Sequence, residues 1–404
     1  MQRQLTQIAS RLTGNRWIVF AVTAIVAALA TGGQPRASRD TIFYRGLSDA
    51  ILNSDLATIF TTMELRWTTL TLVSLVSIAR LISAEHWMTI VMIVNIACSG
   101  LTAVLLVSLV RRLTGSALAA AAALLLYVTC LDVILWVRFI LTDIIYSLIA
   151  FSVFFLVADG ILGPRIKRRR LLLGIALVAA LFTRAVGIVL IPLALFAELI
   201  LARAPDSRPR WLRGRMLVAG VLLTAAAAMC VRAYVVEDPK HWPFDFIRPK
   251  INEYIAREKT GEVVWDRPET FRPPPHTMTD HLVLQADRTV RFFQFTSSQY
   301  TRVHNLVNVA YYVPLYLLAL IGLFDGLRHP DRRRRGVILA ATLWVLAYSL
   351  YHGLTLLDFD WRYRAPLMLH MIVLGACGID VLARLALRRG TPSRTAAIQS
   401  ADAA

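Results

Sequence analysis

Residues 87–112 read WMTIVMIVNIACSGLTAVLLVSLVRR, an apolar run that ends in two arginines. The first 24 of these residues contain no Asp, Glu, Lys or Arg, and about 20 apolar residues are enough for a helix to cross the hydrocarbon of a bilayer. Short loops that are rich in Lys and Arg remain on the cytoplasmic side of a membrane. The run therefore predicts a membrane-spanning helix whose carboxyl end is cytoplasmic.

The composition extends this prediction to the whole chain. Of its 404 residues, 57% are hydrophobic, and the mean hydropathy of +0.57 is outside the usual range of soluble domains. The net charge of +18 is also typical of nucleic-acid-binding proteins, but the arginines flank apolar segments and no basic binding module follows them. We therefore expect the basic residues to face membrane lipids, and we expect no nucleic-acid partner. The abundance of Arg and Ala and the scarcity of Lys indicate a GC-rich bacterial source, hence the bacterial inner membrane.

Ten apolar stretches have, or nearly have, the length that spans a bilayer. They are residues 16–33, 87–110, 115–131, 139–158, 171–183, 187–202, 216–234, 305–325, 336–353 and 365–383. Threading them with the first helix running outward places six basic segments on one side, at residues 3–16, 111–112, 165–170, 203–215, 328–335 and 384–394. That side then holds 24 of the 44 Lys and Arg residues and seven acidic residues, whereas the rest of the chain has 20 basic and 19 acidic residues. The sequence thus predicts an all-α polytopic membrane protein of about ten transmembrane helices, with both termini in the cytoplasm.

Two long segments fall on the predicted outer side. Residues 34–86 contain the apolar stretch 67–83, but a span there would reverse the orientation of every later helix. We therefore expect residues 34–86 to form an outer loop whose amphipathic helices lie in the membrane interface. Residues 235–304 are polar and rich in Pro and aromatic residues, and we expect a small cap because ordered segments of this length are usually functional. Residues 1–383 then form one transmembrane domain, and residues 384–404 form a basic cytoplasmic tail.

The first outer loop contains the strongest candidate for a catalytic base. Asp40 follows the first predicted span and precedes an amphipathic segment in which Ser48, Asp49 and Asn53 oppose an apolar face. A carboxylate that faces a hydroxyl group in a closed cavity can remove its proton. Aspartate is also a good N-cap residue, so the sequence alone leaves Asp40 as either a base or a helix cap.

Ionisable residues near membrane depth mark a second region. Asp132, Arg138 and Asp143 lie close to the predicted outer ends of spans, where charged side chains usually face a partner or a cavity. Arg138 and Asp143 are five residues apart, about 140° around a helix, so we do not expect them to pair with each other. Arg184 lies at the outer turn of a predicted hairpin. The alternative for each is a snorkelling cation or an aspartate bonded to a neighbouring helix.

The last outer loop has the densest group of functional side chains. Residues 357–366 read LDFDWRYRAP. Arg362 and Arg364 can clamp a phosphate at the membrane surface through charge-assisted hydrogen bonds, and Tyr363 can stack or donate a hydrogen bond. The two aspartates of the loop can orient these arginines. An interfacial ion-pair turn that binds no ligand remains the alternative.

In this order, the motifs resemble those of the GT-C superfamily of integral-membrane glycosyltransferases, particularly the branch that contains protein mannosyltransferases and bacterial aminoarabinose transferases. Members have an acidic first outer loop of the form Asp-Glu-x-x-Tyr, which residues 40–44 match except that Thr41 replaces the second acid. Residues 51–52 and 54–55 are similar to the end of the amphipathic helix and the Gly-Asp-like turn that follow in this family.

The later motifs are similar to the same family. Residues 138–143 resemble the acid-containing outer end of its fourth span. Residues 183–187 resemble its Thr-Arg-Pro-x-Gly turn, with Ala in place of the proline. Residues 362–366 resemble its late Arg-Tyr-x-x-Pro element. In pattern, the resemblance covers residues 16–202 and 355–383.

The resemblance implies a GT-C-like fold and an inverting glycosyltransferase that uses a polyprenyl-phosphate-linked sugar on the outer face of the membrane. It implies that Asp40 is the catalytic base, which activates a hydroxyl of a glycan, lipid or protein acceptor. It implies that substrates are bound by Tyr44, Asp49, Arg138, Asp143, Arg184, Arg362, Tyr363 and Arg364. Direct displacement with inversion is expected because activation by one carboxylate requires no covalent intermediate. A divalent cation can assist this reaction, but no ligand set in the sequence demands a metal.

Two other classes of protein remain open from the sequence. A transporter or flippase for a polyprenyl-linked sugar or another anionic lipid would also need outer arginines. It would place ionisable groups nearer the middle of the membrane or on both faces, whereas the predicted spans are almost free of charge beyond their outer third. A non-catalytic assembly or sensor subunit would bind a partner through residues 235–304, and Asp40, Arg362 and Arg364 would then be individually replaceable.

Overall fold

The computed structural model describes residues 2–53, 67–198, 259–264, 267–298, 300–354 and 362–389. These residues are all-helical and contain no strand, which confirms the predicted all-α class for this part of the chain. The α-helices, numbered in chain order, are α1 Gln2–Gly14, α2 Arg16–Thr31, α3 Arg39–Leu52, α4 Leu70–Ile82, α5 Trp87–Thr114, α6 Ala117–Val128, α7 Leu131–Ile134, α8 Asp143–Leu162, α9 Arg169–Leu181, α10 Leu190–Phe196, α11 Met278–Phe292, α12 Arg302–Arg328, α13 Arg332–Leu354 and α14 Ala365–Arg389. Short 3-10 helices cover Trp67–Thr69, Leu135–Arg138, Ala185–Val189, Pro268–Thr270 and Arg362–Arg364.

Five of these helices, α5, α8, α12, α13 and α14, are long and apolar enough to cross a membrane. The number rises to seven if two bent pairs each form one span: α1 with α2, bent by 90°, and α6 with residues 131–138, bent by 57°. The predicted ten spans are not reached within the described residues. Residues 171–183 fall on the 13-residue α9, and the described part of 187–202 contains only a 3-10 turn and the seven-residue α10. The predicted span 216–234 lies outside the described residues.

The turn between α5 and α6 shows how the sequence ends one helix and begins the next. Gly115 adopts a left-handed conformation with φ of 72°, and its amide donates to the carbonyl of Arg111, which closes α5. Arg111 and Arg112 lie in the last turn, where the helix dipole favours cations. Ser116 then caps α6 by accepting a hydrogen bond from the amide of Ala119. The helix therefore ends one turn beyond the predicted apolar stretch.

The last long helix, α14, lies at the centre of the bundle and packs most extensively against α12. A Cβ atom added at Gly322 of α12 would lie 2.0 Å from the carbonyl oxygen of Leu374. One added at Gly378 of α14 would lie 2.1 Å from the carbonyl oxygen of Leu318. Small residues allow two helix backbones to touch in this way, so these two glycines fix the position of α14.

The helix α8 connects two layers of charged residues. Asp143 in its first turn pairs with Arg184, and Asp159 near its end pairs with Arg112. Sixteen residues separate the two aspartates, which corresponds to a rise of about 24 Å in an α-helix. The hydrocarbon core of a bilayer is about 30 Å thick, so the two layers are separated by nearly the thickness of a membrane.

Basic residues from separate loops gather around Asp159. The Nη1 atom of Arg333 donates to the carbonyl of Leu162 at 3.4 Å, and Arg334 lies 3.5 Å from both Asp325 and Asp380. We call this layer the basic end and the layer of Asp143 the site end. The described basic clusters thus share one end of the bundle, as the sequence predicts, and their cytoplasmic location stays a prediction.

The described part of the first predicted outer loop forms two helices that pack on the bundle. Tyr44 and Leu47 of α3, Val76 of α4 and Val91 of α5 belong to one buried apolar cluster. With 13 residues, α4 is shorter than the helices of spanning length, and the prediction that residues 67–83 do not cross the membrane stays a prediction.

The described part of residues 235–304 includes α11, which packs against α13. A Cβ atom added at Gly353 of α13 would lie 2.1 Å from the hydroxyl of Thr289 in α11, so the two helices are in direct contact. Arg288 of α11 is fully buried, and its Nε donates to the carbonyl of Glu262 at 3.0 Å. This part of the predicted cap is therefore a helix docked on the bundle and tied to the loop before it.

Candidate functional site

Asp40 lies in the first turn of α3 and is not its N-cap. The N-cap is Ser38, and its amide donates to the hydroxyl of Thr41 at 2.8 Å within a capping box. The interpretation of Asp40 as a helix cap is therefore wrong, because Ser38 occupies that position. Asp40 keeps 45% of its side chain exposed and accepts a hydrogen bond from Arg362 at 3.3 Å. Its carboxylate is thus both accessible and next to a cation.

Arg184 and Arg362 approach the same aromatic ring at the site end. Their Cζ atoms lie 4.4 and 5.2 Å from the centroid of Tyr363, within the range of cation–π interactions. Arg362 and Tyr363 belong to the 3-10 helix that precedes α14, whereas Arg184 belongs to the turn that follows α9. The fold therefore brings together three predicted site residues from two distant segments.

The turn that carries Arg184 is held on both sides. A Cβ atom added at Gly187 would lie 2.3 Å from the carbonyl oxygen of Ala180, so the chain folds back tightly onto α9. The hydroxyl of Thr183 donates to the hydroxyl of Thr71 in α4 at 3.0 Å. These contacts fix the backbone from which Arg184 extends.

Asp143 and Arg184 form a buried ion pair. The side chain of Asp143 is 2% exposed and that of Arg184 is 13% exposed. Asp143 lies at the amino end of α8, where the helix dipole favours a carboxylate. Asp143 does not pair with Arg138 among the described residues, but the two do not share a helix, because Arg138 ends a 3-10 helix and Asp143 begins α8. The pair fixes the guanidinium of Arg184 beside the ring of Tyr363.

The phenol of Tyr44 lies in the electric field of four charged side chains. Burial raises the pKa of Tyr44 well above its ordinary value, and the charges of Asp40 and Asp143 raise this pKa further, whereas Arg184 and Arg362 lower it. The hydroxyl therefore remains protonated and can donate a hydrogen bond. We call these five residues, together with Tyr363, the candidate site.

Arg364 belongs to a separate and enclosed ion pair. It lies 2.7 Å from Asp132, and the two side chains are 1% and 5% exposed. Arg364 also donates to the carbonyl of Gln294 at 2.7 Å, and its Cζ lies 4.6 Å from the ring centroid of Tyr312. These contacts surround the guanidinium with protein groups, so we interpret Arg364 as the residue that holds the segment after α11. Its predicted role as a phosphate ligand stays a prediction.

A stack of rings extends from the candidate site to α11, and the sequence motifs do not include it. His352 of α13 stacks on Tyr363 with ring centroids 5.5 Å apart, and on Phe292 of α11 with centroids 4.8 Å apart. A single histidine at the end of an otherwise apolar span is a signal that could have identified it. Beneath the stack, the hydroxyls of Tyr146 and Tyr348 form a hydrogen bond. The described part of the predicted cap thus reaches the candidate site through the ring of His352.

Two predicted binding residues lie in other groups. Asp49 follows Asp40 by nine residues, about 180° around a helix, and it pairs with Arg80 of α4. Asp49 therefore joins α3 to α4 on the side away from Asp40. The Cζ of Arg138 lies 5.3 Å from the ring centroid of Phe139, at the site end but in a separate cluster.

The remaining expectations concern the last loop and metals. Asp358 and Asp360 lie outside the described residues, and in the described part the carboxylate next to Arg362 is that of Asp40. No group of three or more His, Cys, Asp and Glu side chains that could hold a metal ion occurs among the residues that the structure describes. Assistance by a divalent cation stays a prediction.

Comparisons with protein families, with curated proteins and with solved structures find no match to this chain. The class of protein is therefore defined by the fold and the site alone. It is an all-helical protein with five to seven apolar helices that could span a membrane. At the site end, it carries the carboxylate of Asp40, the phenol of Tyr44 and the guanidinium groups of two arginines. Both guanidinium groups, those of Arg184 and Arg362, lie near the ring of Tyr363. This set can accept a proton and bind an anion, and the GT-C-like fold stays a prediction.

Proposed function

We propose that the protein is an inverting glycosyltransferase, which moves a sugar from a polyprenyl-phosphate-linked donor to an acceptor hydroxyl at the outer face of a membrane. The observation that carries this proposal is the 3.3 Å contact between the half-exposed carboxylate of Asp40 and the guanidinium of Arg362. A transferase of this class needs a base for the acceptor and a phosphate-binding cation for the donor within one site. The base takes the proton of the acceptor, and the cation stabilises the charge that develops on the leaving phosphate.

The reaction is a single displacement at the anomeric carbon. The acceptor oxygen forms a bond to this carbon on one face, while the bond from the carbon to the phosphate oxygen breaks on the opposite face. The acceptor proton passes to Asp40, and the electron pair of the broken bond leaves with the polyprenyl phosphate. Arg362 and Arg184 bind this phosphate through charge-assisted hydrogen bonds, and Tyr44 donates a hydrogen bond to a substrate oxygen.

The contact between Asp40 and Arg362 also gives an order to these steps. In the absence of donor, the two side chains neutralise each other. Arg362 exchanges the carboxylate for the donor phosphate, and Asp40 then becomes available to the acceptor. Donor binding therefore precedes activation of the acceptor, which protects the donor from an already activated water molecule.

The position of the candidate site along the helices supports this substrate class. Asp143 is about 24 Å, by helical rise, from the ion pair of Asp159 at the basic end. A polyprenyl tail lies in hydrocarbon about 30 Å thick and its phosphate lies at the membrane surface. If the basic end lies at one membrane surface, this distance puts the candidate site close to the other surface, where the donor phosphate would meet it.

Sugar transfer by the purified full-length protein in nanodiscs tests the proposal. The donors are radiolabelled polyprenyl-phosphate hexoses and pentoses, and the acceptor is a membrane extract. We expect transfer by the wild type, a 100- to 10,000-fold lower rate for Asp40→Asn, and a raised KM for the donor with Arg362→Gln.

Asp49→Asn is the matched control, because Asp49 lies on the same helix but faces away from Asp40. It should transfer at nearly the wild-type rate. Equal rates for Asp40→Asn and wild type would leave the enzyme class standing and remove Asp40 as the base. Movement of labelled lipid between leaflets without transfer from any donor would replace the proposal with the flippase alternative.

A further inference from the structure

A second pair of arginines shares a second aromatic ring at the site end. The Cζ atoms of Arg36 and Arg138 lie 5.7 and 5.3 Å from the ring centroid of Phe139. This arrangement parallels that of the two arginines at Tyr363, each of which pairs with an aspartate. Within the described residues, neither Arg36 nor Arg138 pairs with a carboxylate. The second pair is therefore a concentration of positive charge without a neutralising carboxylate in the part of the chain that the structure describes.

Arg138 also carries an unsatisfied donor. Its Nε atom is buried and has no hydrogen-bond acceptor among the described residues. Buried donors without a partner are costly and rare in folded proteins, and two guanidinium groups close to one ring repel each other. A bound anion would satisfy the donor and offset the repulsion at the same time.

The backbone holds the two arginines in place without any ligand. The amide of Arg36 donates to the carbonyl of Arg138 at 2.8 Å, and the amide of Ile140 donates to the carbonyl of Arg36 at 3.3 Å. The fully buried side chain of Asn95 in α5 donates to the carbonyl of Phe139 at 3.0 Å. The ring and both cations are thus anchored to a spanning-length helix, which is the preorganisation that an anion site requires.

We propose that Arg36 and Arg138 bind the phosphate of the acceptor, so that the attacking hydroxyl belongs to a phosphate-bearing membrane lipid. The role as acceptor rests on the proposed function, whereas the binding of a lipid phosphate by this arginine pair does not. The donor phosphate is assigned to Arg184 and Arg362, and a second cationic pair therefore corresponds to a second anionic substrate. A lipid is the favoured source because the site end is separated from the basic end by nearly the thickness of a bilayer's hydrocarbon core.

The distance to the base is compatible with this assignment. Arg36 and Asp40 are four residues apart in the chain, so their Cα atoms are at most about 14 Å apart even when fully extended. The hydroxyl of Thr41, the residue after Asp40, donates to the carbonyl of Ile140 at 3.4 Å, which holds the start of α3 against the segment of Arg138. A headgroup whose phosphate lies on Arg36 can therefore place a hydroxyl near Asp40.

Lipid binding by the full-length protein in detergent tests the inference without any need for transfer. Phosphatidic acid is the probe, diacylglycerol is the same lipid without phosphate, and glycerol 3-phosphate is the phosphate without the lipid. We expect the Kd for phosphatidic acid to rise about tenfold in Arg36→Gln and in Arg138→Gln, and about 100-fold in the double variant, as the loss of charge-assisted hydrogen bonds predicts. Arg45→Gln removes an exposed arginine of α3 and should leave this Kd unchanged.

Replacement of both arginines by lysine provides a second variant if the double Gln variant does not fold. Lysine keeps the charge and loses the planar fork of donors, so we expect an intermediate loss of about tenfold. Weak competition by glycerol 3-phosphate supports a lipid source. Equal affinity for glycerol 3-phosphate and phosphatidic acid would overturn the lipid source and retain the phosphate site.

Binding of polyprenyl phosphate separates this inference from the proposed function. We expect it to weaken in Arg362→Gln and to remain unchanged in the Arg36→Gln/Arg138→Gln variant. Loss of polyprenyl phosphate binding in the latter variant would overturn the inference, because these arginines would then hold the donor. Binding of phosphatidic acid by a wild-type protein that transfers no sugar would defeat the proposed function and leave the lipid site standing.

Discussion

The two ends of α8 carry ion pairs of the same chemistry in different surroundings. At the basic end, Asp159 pairs with Arg112 and also accepts hydrogen bonds from two backbone amides of the next loop, at 3.1 and 3.4 Å. At the site end, Asp143 pairs with Arg184, whose guanidinium lies over the ring of Tyr363. The carboxylate of Asp159 is therefore bonded both to Arg112 and to the loop that follows α8. The cation of the second pair faces a ring, a second cation and an accessible carboxylate.

This difference separates charges that hold the fold from charges that can meet a substrate. At the basic end, Arg112 also donates to the carbonyl of Gly163, so both partners of this pair are also bonded to neighbouring backbone. The site end has two arginine pairs on two rings, and Asp40 contacts Arg362 of one pair. At the site end, the arginine pair at Phe139 has no carboxylate partner among the described residues.

The largest effect is expected from breaking either pair on α8. Asp143→Asn and Asp159→Asn each leave a partly buried arginine without its carboxylate, which should lower the free energy of unfolding by up to about 3–5 kcal/mol. Only Asp143→Asn should also lower the transfer rate per folded molecule, by about 100-fold, because a displacement of about 1 Å in a positioned group costs this much. Denaturation in mixed micelles and transfer rates normalised to folded protein give the two quantities. An equal loss of normalised rate in Asp159→Asn would abolish the distinction between the two ends.

A second test concerns the enclosed pair of Asp132 and Arg364. Asp132→Asn should lower the free energy of unfolding by about 3–5 kcal/mol, whereas Asp132→Leu combined with Arg364→Met should be close to the wild type, as for other buried pairs replaced by apolar residues. The same denaturation experiment measures both.

The KM for the donor then decides the role of Arg364. An unchanged KM in the double variant agrees with a residue that holds the segment after α11. A strongly raised KM would restore Arg364 as a phosphate ligand, as the resemblance to the GT-C superfamily implies.

A smaller effect on the free energy of unfolding is expected midway between the two ends, where α12 and α14 touch. Gly378→Ala would place a Cβ 2.1 Å from the carbonyl oxygen of Leu318, and overpacking of this kind costs about 1–3 kcal/mol. Gly174→Ala in α9 is the control, because a Cβ there meets no atom within 4 Å, and its stability should stay the same or rise slightly. Equal stability of the two variants would show that the glycine contact does not fix α14.

The sequence predicts which residues share an end of the molecule, because charge bias and apolar length decide the side on which each loop lies. Asp40, Arg184 and Arg362 are therefore expected at one end from the sequence alone, and the fold brings them together there. Charge bias and apolar length do not predict which side chains form ion pairs with each other. Asp132 and Arg364 are 232 residues apart, and their pairing depends on how α7 packs against the 3-10 helix Arg362–Arg364.

The sequence does not predict which residue is the N-cap of α3, because two residues suit this position. Ser38 and Asp40 are both good N-cap residues, and the capping box here uses Thr41 where Glu or Gln is usual, so its sequence signal is weak. The number of spans is also not decided by composition alone. The apolar stretch 171–183 has the composition of a spanning helix, but α9 has only 13 residues, and the predicted ten spans stay a prediction.

The smallest effect is expected at the pair of Asp49 and Arg80, which joins α3 to α4. Asp49 is 49% exposed and Arg80 is 16% exposed, and pairs at such positions contribute about 0.2–1 kcal/mol. Asp49→Asn should therefore change the free energy of unfolding by no more than this, and the transfer rate should stay within about twofold of wild type. Because Asp49 and Asp40 share a helix and a residue type, a large loss of rate here would mean that substrate reaches both sides of α3. The site end would then be wider than the cluster around Tyr363, and the assignment of a single base would no longer hold.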